Sequence, residues 1–315
     1  MTILDRPTER DSYDAIVVGG SWAGLSAAMQ LARARRRVLV LDTGQPRNRF
    51  APTSHGFFGQ DGRTSADILD GGRAQVLAYS TAEFRYEQAI SASADGEAFV
   101  VCLASGTAIR ARRLILATGV VDEFPEIAGI RERWGGTVLH CPYCHGYEVA
   151  DTRLGVLGTG ARSVHQARLL PDWSANVTLF TNRVVTIDDG EAVALAARGV
   201  RVEERPVVAL LGEAPALRGI LLGDDAVVEL DALFIVPRTT IAGQLVEQLG
   251  CAVDNGPLGP VIRTDASQET TVRGVFAAGD GARTSHNANF ASGDGALAGM
   301  SAHRSLVYAT SGTRR

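Results

Sequence analysis

Two cysteines lie two residues apart in the segment LHCPYCHGYEV, residues 139–149. Cys141 and Cys144 are flanked by His140 and His145, and the whole chain of 315 residues has only four cysteines. A pair with this spacing can ligate a metal ion, form a structural disulfide, or exchange electrons as a dithiol and a disulfide. The neighbouring residues are needed to choose among these kinds of chemistry.

The residues around the pair favour electron exchange. Pro142 stands between the cysteines, and the adjacent imidazoles can stabilise a thiolate. Finger and ribbon zinc sites draw on two separated ligand pairs, and the sequence has no second C-x-x-C and no H-x-x-x-H. Zinc ligation and a fortuitous pair of buried thiols remain the alternatives. Cys102 and Cys251 lack such neighbours and are predicted to be small core residues.

A strand, a helix and a second strand are predicted within YDAIVVGGSWAGLSAAMQLARARRRVLVLDTG, residues 13–44. The apolar residues 15–18 form the first strand, the helix runs to about Ala34, and the second strand ends at Asp42. This order is one βαβ unit, the element that carries a glycine-rich turn in dinucleotide-binding domains.

The turn of this unit has the context of a dinucleotide site, because it follows a strand, opens a helix and precedes an acidic residue. Gly19 permits the tight turn, Gly20 and Ser21 follow it, and Gly24 lets the helix approach the strand. N–H groups at the helix start attract a pyrophosphate, and Asp42 can accept a hydrogen bond from a ribose hydroxyl. Ser21 replaces the usual middle glycine, which weakens close approach of the pyrophosphate without preventing it.

The same device is predicted a second time in the range 154–180, with a strand, a turn and a following strand. The turn residues are Gly158, Gly160 and Ser163. The next residues, Thr181-Asn182-Arg183, are neither the acidic group of an NAD site nor the basic cluster of an NADP site. Arg162 and Arg183 could serve a 2′-phosphate, so the sequence predicts a retained fold with a weakened nicotinamide site.

Two further strand ends mark the predicted domain organisation. One strand ends at Thr118-Gly119 before a Pro-punctuated loop, and another stops at Gly279-Asp280-Gly281. We predict an α/β protein of two Rossmann-like, three-layer dinucleotide-binding domains. Residues 1–119 and 242–315 form a discontinuous first domain, and residues 120–241 form an inserted second domain that carries the cysteine pair.

Charge and hydropathy exclude several classes of partner. Lys and Arg number 31 against 35 Asp and Glu, and the one basic cluster, residues 33–37, is interpreted as the end of a helix. Nucleic acid is therefore not an expected partner. The first residues lack the apolar core of a secretory signal, and no later stretch approaches about 18 consecutive apolar residues. We expect a cytoplasmic protein without a membrane partner.

With the turn at Gly19, the ATG at residues 117–119, the C-x-x-C, the second turn and GVFAAGD in this order, the whole chain resembles the low-molecular-weight thioredoxin reductase family. The resemblance implies a homodimer and FAD bound by the first domain, with Gly19, Gly20, Ser21, Gly24 and Asp42 on the ADP half of FAD. It also implies that Thr118, Gly119, Gly279, Asp280 and Gly281 line the rest of the cofactor site.

The resemblance assigns roles within the cysteine motif as well. Cys144 is implied to lie against the flavin, and Cys141 to exchange with the substrate. His145 stands where the family has an acidic residue, and it is a candidate acid and base for the reacting thiols. A turn histidine satisfied by the backbone is the alternative for His145, and His140 is the second candidate.

At two places the sequence departs from the reductases and resembles another branch of the family. LFTNR lacks a basic cluster for NADPH, and CPYCHGYE is similar to the motif of the dithiol oxidases that close disulfides in natural products of the holomycin, gliotoxin and romidepsin type. This resemblance implies a small-molecule dithiol as substrate and O2 as acceptor, giving H2O2. A thioredoxin-type reductase fed by NADPH or ferredoxin is the first alternative, and a flavin-free redox-sensing protein is the second.

Overall fold

A computed structural model describes residues 12–309 of the chain. The N-terminal residues 1–11, where the sequence indicates no secretory signal, lie outside the described residues. The strands are β1 (Ser12–Val18), β2 (Val38–Asp42), β3 (Ala82–Tyr86), β4 (Ala89–Asp95), β5 (Ala98–Leu103), β6 (Ala108–Leu116), β7 (Val120–Glu123), β8 (Val138–Leu139), β9 (Leu154–Leu157), β10 (Val177–Phe180), β11 (Arg201–Glu203), β12 (Val207–Leu211), β13 (Gly219–Leu222), β14 (Val227–Glu229), β15 (Ala232–Ile235), β16 (Arg238–Ile241), β17 (Val253–Asn255), β18 (Pro260–Ile262) and β19 (Val275–Ala277). The helices are α1 (Trp22–Arg33), α2 (Ser65–Leu77), α3 (Pro142–His145), α4 (Arg162–Leu169), α5 (Asp189–Ala197), α6 (Leu245–Gln248) and α7 (Ala288–Ala309).

Contacts divide the described chain into two compact units. The first unit comprises residues 12–47, 66–121 and 239–309, and the second comprises residues 48–65 and 122–238. This division differs from the predicted domain boundaries chiefly at residues 48–65, which the sequence analysis places in the first domain. These residues pack in the second unit, where a side chain on Gly135 would meet Phe50 at 2.7 Å.

The first unit is built on a seven-stranded sheet in the order β3-β2-β1-β6-β5-β4, with β19 also paired to β6. The strands β3, β2, β1, β6 and β19 are parallel, and β5 and β4 continue the sheet antiparallel. Apolar residues of α1 and α7 pack with those of β1, β2 and β6 in one core on one face. Residues of β1 and β2 are buried almost without interruption, as expected for parallel strands covered on both faces.

The second unit holds a five-stranded parallel sheet in the order β11-β10-β9-β15-β8, with a separate antiparallel sheet of β12, β13 and β14. The strands β9 and β10 have the limits that the sequence predicts, and α4 connects them in the repeated βαβ unit. Both units therefore have the α/β architecture predicted for dinucleotide-binding domains. Within residues 12–309, every helix lacks the combination of length and apolar character that crossing a lipid bilayer requires.

The two isolated cysteines differ in burial. Cys251 is buried, and its Sγ lies 3.5 Å from the Thr270 hydroxyl. Cys102 is only half-buried, so its prediction as a core residue is wrong. The reason is the alternation of the strand, because Val101 and Leu103 point into the core on either side of Cys102.

Candidate functional site

The first glycine-rich turn is held closed by backbone contacts and by one carboxylate. Gly19 follows β1 with a φ of 106°, a conformation that favours glycine. A side chain on Gly24 would clash with the Gly19 carbonyl oxygen, so the helix start can lie this close to the strand only without one. The amides of Gly20 and Gly44 donate to the two carboxylate oxygens of Asp42, at 3.0 and 3.2 Å.

The start of α1 has the properties of an anion site. Ser21 is the N-cap residue, but its side chain makes no cap hydrogen bond, and the first turn contains no acidic residue. The first backbone N–H groups of a helix have no partner inside the helix, and the helix dipole favours negative charge there. A pyrophosphate is the anion that a dinucleotide would place at such a helix start.

Two other predicted segments lie beside this turn because β1, β6 and β19 are neighbours in the sheet and end at the same edge. A Cβ built on Gly279 would lie 3.0 Å from the Cβ of Ala23 in α1, and one on Gly281 would lie 3.1 Å from the Gly119 carbonyl oxygen. The hydroxyl oxygen of Thr118 is buried without a protein hydrogen-bond partner. The predicted cofactor residues of the first domain are thus brought together at one edge of one sheet.

An arginine that the sequence analysis does not single out binds one member of this group. Arg47 donates to a carboxylate oxygen of Asp280 at 2.8 Å, and the same nitrogen lies 2.8 Å from Nδ1 of His286. The side chains of Arg47 and Asp280 are only 20% and 19% exposed. Their charges are therefore screened less than those of a surface pair.

A second half-buried carboxylate supports the Gly279 turn. Asp294 in α7 pairs with Arg283 at 3.2 Å, and the side-chain amide of Gln268 donates to it at 3.4 Å. Burial raises the pKa of Asp294, while Arg283 and a hydrogen bond from the Gly279 amide oppose that rise. Neither Arg47 nor Asp294 belongs to a sequence motif, although both reinforce the edge where the motifs meet.

In the second unit, the two cysteines of the motif are joined as a disulfide. Cys141 is the N-cap residue of the short helix α3, Pro142 is its first residue, and Cys144 lies one turn further, with a Cα–Cα distance of 5.2 Å. The amides of Cys144 and His145 both donate to the Cys141 carbonyl oxygen at 3.1 Å. Proline suits the first helical position, and here it starts the turn that brings the two sulfurs together.

His145 directly follows this pair and is half-buried. Burial lowers its pKa from the usual histidine value, the Glu148 carboxylate raises it, and the imidazole of His55 lowers it. His55 itself lies 3.4 Å from Glu148 and was not singled out from the sequence. The low pKa keeps His145 neutral at neutral pH, which leaves a ring nitrogen able to accept a proton.

His140 has a different position. It follows β8, and its carbonyl oxygen accepts a hydrogen bond of 2.6 Å from the side-chain amide of Gln166 in α4. This bond ties the chain just before the disulfide to α4. Among residues 12–309, no group of three or more His, Cys, Asp or Glu side chains is arranged to hold a metal ion.

The second glycine-rich turn is capped by its own side chains. The Thr159 amide donates to the Ser163 hydroxyl at 3.0 Å, and the Thr159 hydroxyl donates to the Val236 carbonyl at 2.7 Å. The Asn182 side chain, at the position where a nucleotide site would need a charged group, accepts from the Val207 amide at 2.8 Å. These partners are groups of the protein, whereas a dinucleotide site leaves its turn amides to the phosphates.

Comparison with known proteins decides the family. The family model for pyridine nucleotide-disulphide oxidoreductases matches residues 13–295. The chain belongs to the pyridine nucleotide-disulphide oxidoreductase family. Its members are typically flavin-dependent, and the chain is accordingly a thiol/disulfide oxidoreductase of the thioredoxin reductase-like kind.

Three relatives illustrate the similarity of this family member to known proteins. The chain is 31% identical to the thioredoxin reductase tcpT of Claviceps purpurea (strain 20.1), over 96% of each chain. It is 46% identical to an oxidoreductase of Agrobacterium tumefaciens, with a TM-score of 0.90 and coverage of 94% of this chain and 99% of that chain. It is 40% identical to HlmI, with a TM-score of 0.90 and coverage of 98% of this chain and 96% of that chain.

The first unit of this pyridine nucleotide-disulphide oxidoreductase fits the flavin that is typical of the family. The uncapped start of α1 suits a pyrophosphate. The buried hydroxyl of Thr118 lacks a protein partner, and a side chain on the adjacent Gly119 would meet nothing within 4 Å. The chemistry of these donors therefore suits a nucleotide cofactor.

Proposed function

We propose that the protein is an FAD-dependent dithiol oxidase that forms an intramolecular disulfide in a small-molecule dithiol, with O2 as acceptor and H2O2 as the second product. The observation that carries the proposal is the Cys141–Cys144 disulfide followed directly by the half-buried imidazole of His145. The family resemblance implies that the enzyme is a homodimer, and the charge and hydropathy of the sequence favour the cytoplasm, with neither nucleic acid nor membrane as a partner.

The chemistry at sulfur begins with His145. Its neutral ring accepts the proton of a substrate thiol, and the resulting thiolate attacks the sulfur of Cys141. The bond between the two cysteine sulfurs breaks, and Cys144 leaves as a thiolate that the protonated His145 stabilises. The second substrate thiol attacks the substrate sulfur of the mixed disulfide, the bond from that sulfur to Cys141 breaks, and Cys141 leaves with the proton of the attacking thiol. The substrate has then lost two electrons and two protons: the cysteine pair holds the electrons, and Cys141 and His145 hold the protons.

FAD, when bound, would take the two electrons of the reduced cysteines to molecular oxygen, which leaves with two protons as H2O2. The residues that would hold FAD are Gly19, Gly20, Ser21, Gly24 and Asp42 on its ADP half, with Thr118, Gly119, Gly279, Asp280 and Gly281 along the remainder. Within the chain, Gly19 and Gly24 would keep the turn narrow, and the amides at the helix start would meet the phosphates. Arg47, held in place by Asp280, would balance part of the phosphate charge.

The second glycine-rich turn supports an oxidase over an NADPH-fed reductase. The Thr159 amide, which would otherwise face a pyrophosphate, already donates to Ser163. The Asn182 side chain is occupied by the Val207 amide. A reductase remains the second candidate because Gly158 and Gly160 keep the spacing of the fingerprint and because the curated relative tcpT is named a thioredoxin reductase.

One experiment separates the two functions. The purified yellow protein is made anaerobic, its flavin spectrum is followed after addition of NADPH, NADH or dithiothreitol, and air is then admitted. The oxidase predicts bleaching by dithiothreitol alone and recovery in air with one equivalent of H2O2. Rapid bleaching by NADPH would instead assign the reductase, and a colourless protein that takes up no FAD would leave only a redox-sensing role.

A further inference from the structure

A segment far from the cysteine motif in sequence lies against it in the second unit. A Cβ built on Gly56 would lie 3.8 Å from the carbonyl oxygen of Tyr143, the residue between the two cysteines. The adjacent His55 places Nε2 3.4 Å from a carboxylate oxygen of Glu148 and 2.9 Å from the Thr53 hydroxyl. Glu148 in turn is three residues after His145, so the ion pair ties the segment of His55 to the end of the cysteine motif.

We propose that His55 and Glu148 are a positioning pair for His145, in which His55 pairs with the Glu148 carboxylate and holds it beside the cysteine motif. This role rests on the proposed function, in which His145 exchanges a proton with thiols. His55 and Glu148 are not assigned contact with the reacting sulfurs. They act on the reaction through the imidazole of His145.

The groups around His145 and His55 act on the two imidazoles in different directions. At His145, burial and the His55 imidazole both lower the pKa, and Glu148 raises it. At His55, Glu148 lies at Nε2 and the exposed carboxylate of Asp61 lies 3.7 Å from Nδ1. When the disulfide is reduced, the thiols of the motif join this set of ionisable groups.

The arrangement balances two requirements of a thiol exchange at His145. The ring must be neutral before the reaction, which burial and His55 favour. It must also carry a proton transiently while Cys144 is a leaving thiolate, which Glu148 favours. A carboxylate already paired with His55 can supply this support without protonating His145 in the resting enzyme.

The pair predicts pKa changes of opposite sign. His55→Gln removes a group that lowers the pKa of His145 and releases Glu148 toward it, so the pKa of His145 should rise by about half a pH unit or more. Glu148→Gln removes the group that raises it, so the pKa should fall by a similar amount. In a Glu148→Gln background, His55→Gln should have a smaller effect, because His55 acts partly through the carboxylate. His165→Gln, an exposed histidine of α4 in the same unit, is the matched control and should leave the pKa of His145 unchanged.

Two readouts test this on the flavin-loaded protein. The pKa of His145 is measured by NMR titration of protein carrying ¹⁵N-labelled histidine, with His145→Gln to assign its signal. The anaerobic rate at which dithiothreitol reduces the Cys141–Cys144 disulfide is measured against pH by alkylation and mass spectrometry, and its lower limb should move with the pKa in each variant. A conservative His55→Asn variant is included so that a folding defect of one substitution does not decide the result.

The outcomes separate this role from the oxidase function. Opposite shifts in the two variants support the positioning pair, even if air fails to reoxidise the flavin, since neither readout uses oxygen. Unchanged values, or shifts of the same sign in His55→Gln and Glu148→Gln, would overturn it. Those results would leave a dithiol oxidase, demonstrated by its oxygen consumption, unaffected.

Discussion

The carbonyl oxygen of Gly19 lies where a Cβ atom on residue 24 would have to be placed. The obstacle is backbone and cannot move aside as a flexible side chain can. It follows that the approach of α1 to the end of β1, and with it the anion site at the helix start, depends on the absence of a side chain at Gly24.

Gly24→Ala should therefore lose both stability and flavin. Relief of the clash has to displace α1 from β1, and overpacking of this kind costs about 2 kcal/mol of the free energy of unfolding. The displaced amides would no longer meet a pyrophosphate. The flavin-to-protein absorbance ratio of the purified variant and its urea unfolding curve measure the two effects.

Gly71→Ala is the matched control for this substitution. Gly71 lies within α2, and a Cβ there would meet nothing within 4 Å. Alanine favours a helix interior over glycine, so this variant should keep its flavin and gain up to about 1 kcal/mol in stability. Equal flavin content in the two variants would mean that the cofactor does not depend on the turn.

Replacement of either cysteine of the motif should abolish turnover and leave flavin binding intact. Cys141→Ser and Cys144→Ser each remove the disulfide that a substrate thiolate attacks, so dithiol-dependent oxygen consumption should fall by roughly 1000-fold or more. The residues proposed to bind FAD lie in the other unit, and the absorbance of the bound flavin should therefore persist. An oxygen electrode and an absorbance spectrum provide the measurement.

Cys102→Ser serves as the control, because Cys102 is half-buried in β5 and has no proposed role. It should consume oxygen at the rate of the unaltered protein. Substantial oxygen consumption by either variant of the motif would show that the dithiol reduces the flavin directly and would remove the cysteine pair from the mechanism.

Much of the fold follows from local sequence patterns. The limits of β9 and β10 could be predicted because each is a short apolar run, and the first is bounded by a glycine. The ends of β1, β6 and β19 could also be predicted, because each strand is an apolar run that stops shortly before a glycine. Each of these features depends on residues that are close in the chain, whereas the meeting of the three ends at one edge is implied only by the family resemblance.

The segment 48–65 shows where such reasoning stops. Its sequence has no strong periodicity, and its packing depends on contacts such as that of Phe50 with Gly135, far apart in the chain. The partnership of His55 with Glu148 arises in the same way. No spacing rule connects two single residues across such a distance, so the motif residue His145 could be predicted and its neighbours could not.

Arg47 illustrates the same limit in the first unit, and it leads to a test of cofactor binding. Arg47→Met removes the cation that pairs with Asp280 and leaves a largely buried carboxylate without its partner. If a pyrophosphate binds at the start of α1, this uncompensated charge repels it. The affinity of the apoprotein for FAD should fall about tenfold, as measured by quenching of flavin fluorescence.

Arg49→Met is the matched control for Arg47→Met. Arg49 is an exposed arginine two residues away that stacks on Phe50, with its guanidinium carbon 4.2 Å from the ring centre. Its loss should leave the dissociation constant of FAD unchanged. An unchanged constant in Arg47→Met as well would place the phosphates away from the Arg47–Asp280 pair.

The pH dependence of disulfide reduction should follow the protonation of His145. Because burial lowers the pKa of His145 below its usual value near 6.5, the ring is neutral at pH 7 and becomes protonated only as the pH falls through that lowered pKa. A base must be neutral to accept a thiol proton. The anaerobic rate of reduction by dithiothreitol should therefore be lost on the acidic side, below about pH 6.5.

His145→Gln should remove this acidic limb and slow the reaction at pH 7 by about 100-fold, the usual contribution of a general base. The remaining rate should rise with pH only as the substrate thiols ionise, near pH 8.5 and above. His165→Gln should retain the profile of the unaltered protein, because His165 is exposed on α4. If His145→Gln kept both the acidic limb and the rate, another group would have to take the thiol proton, and the histidine after the second cysteine would be a turn residue only.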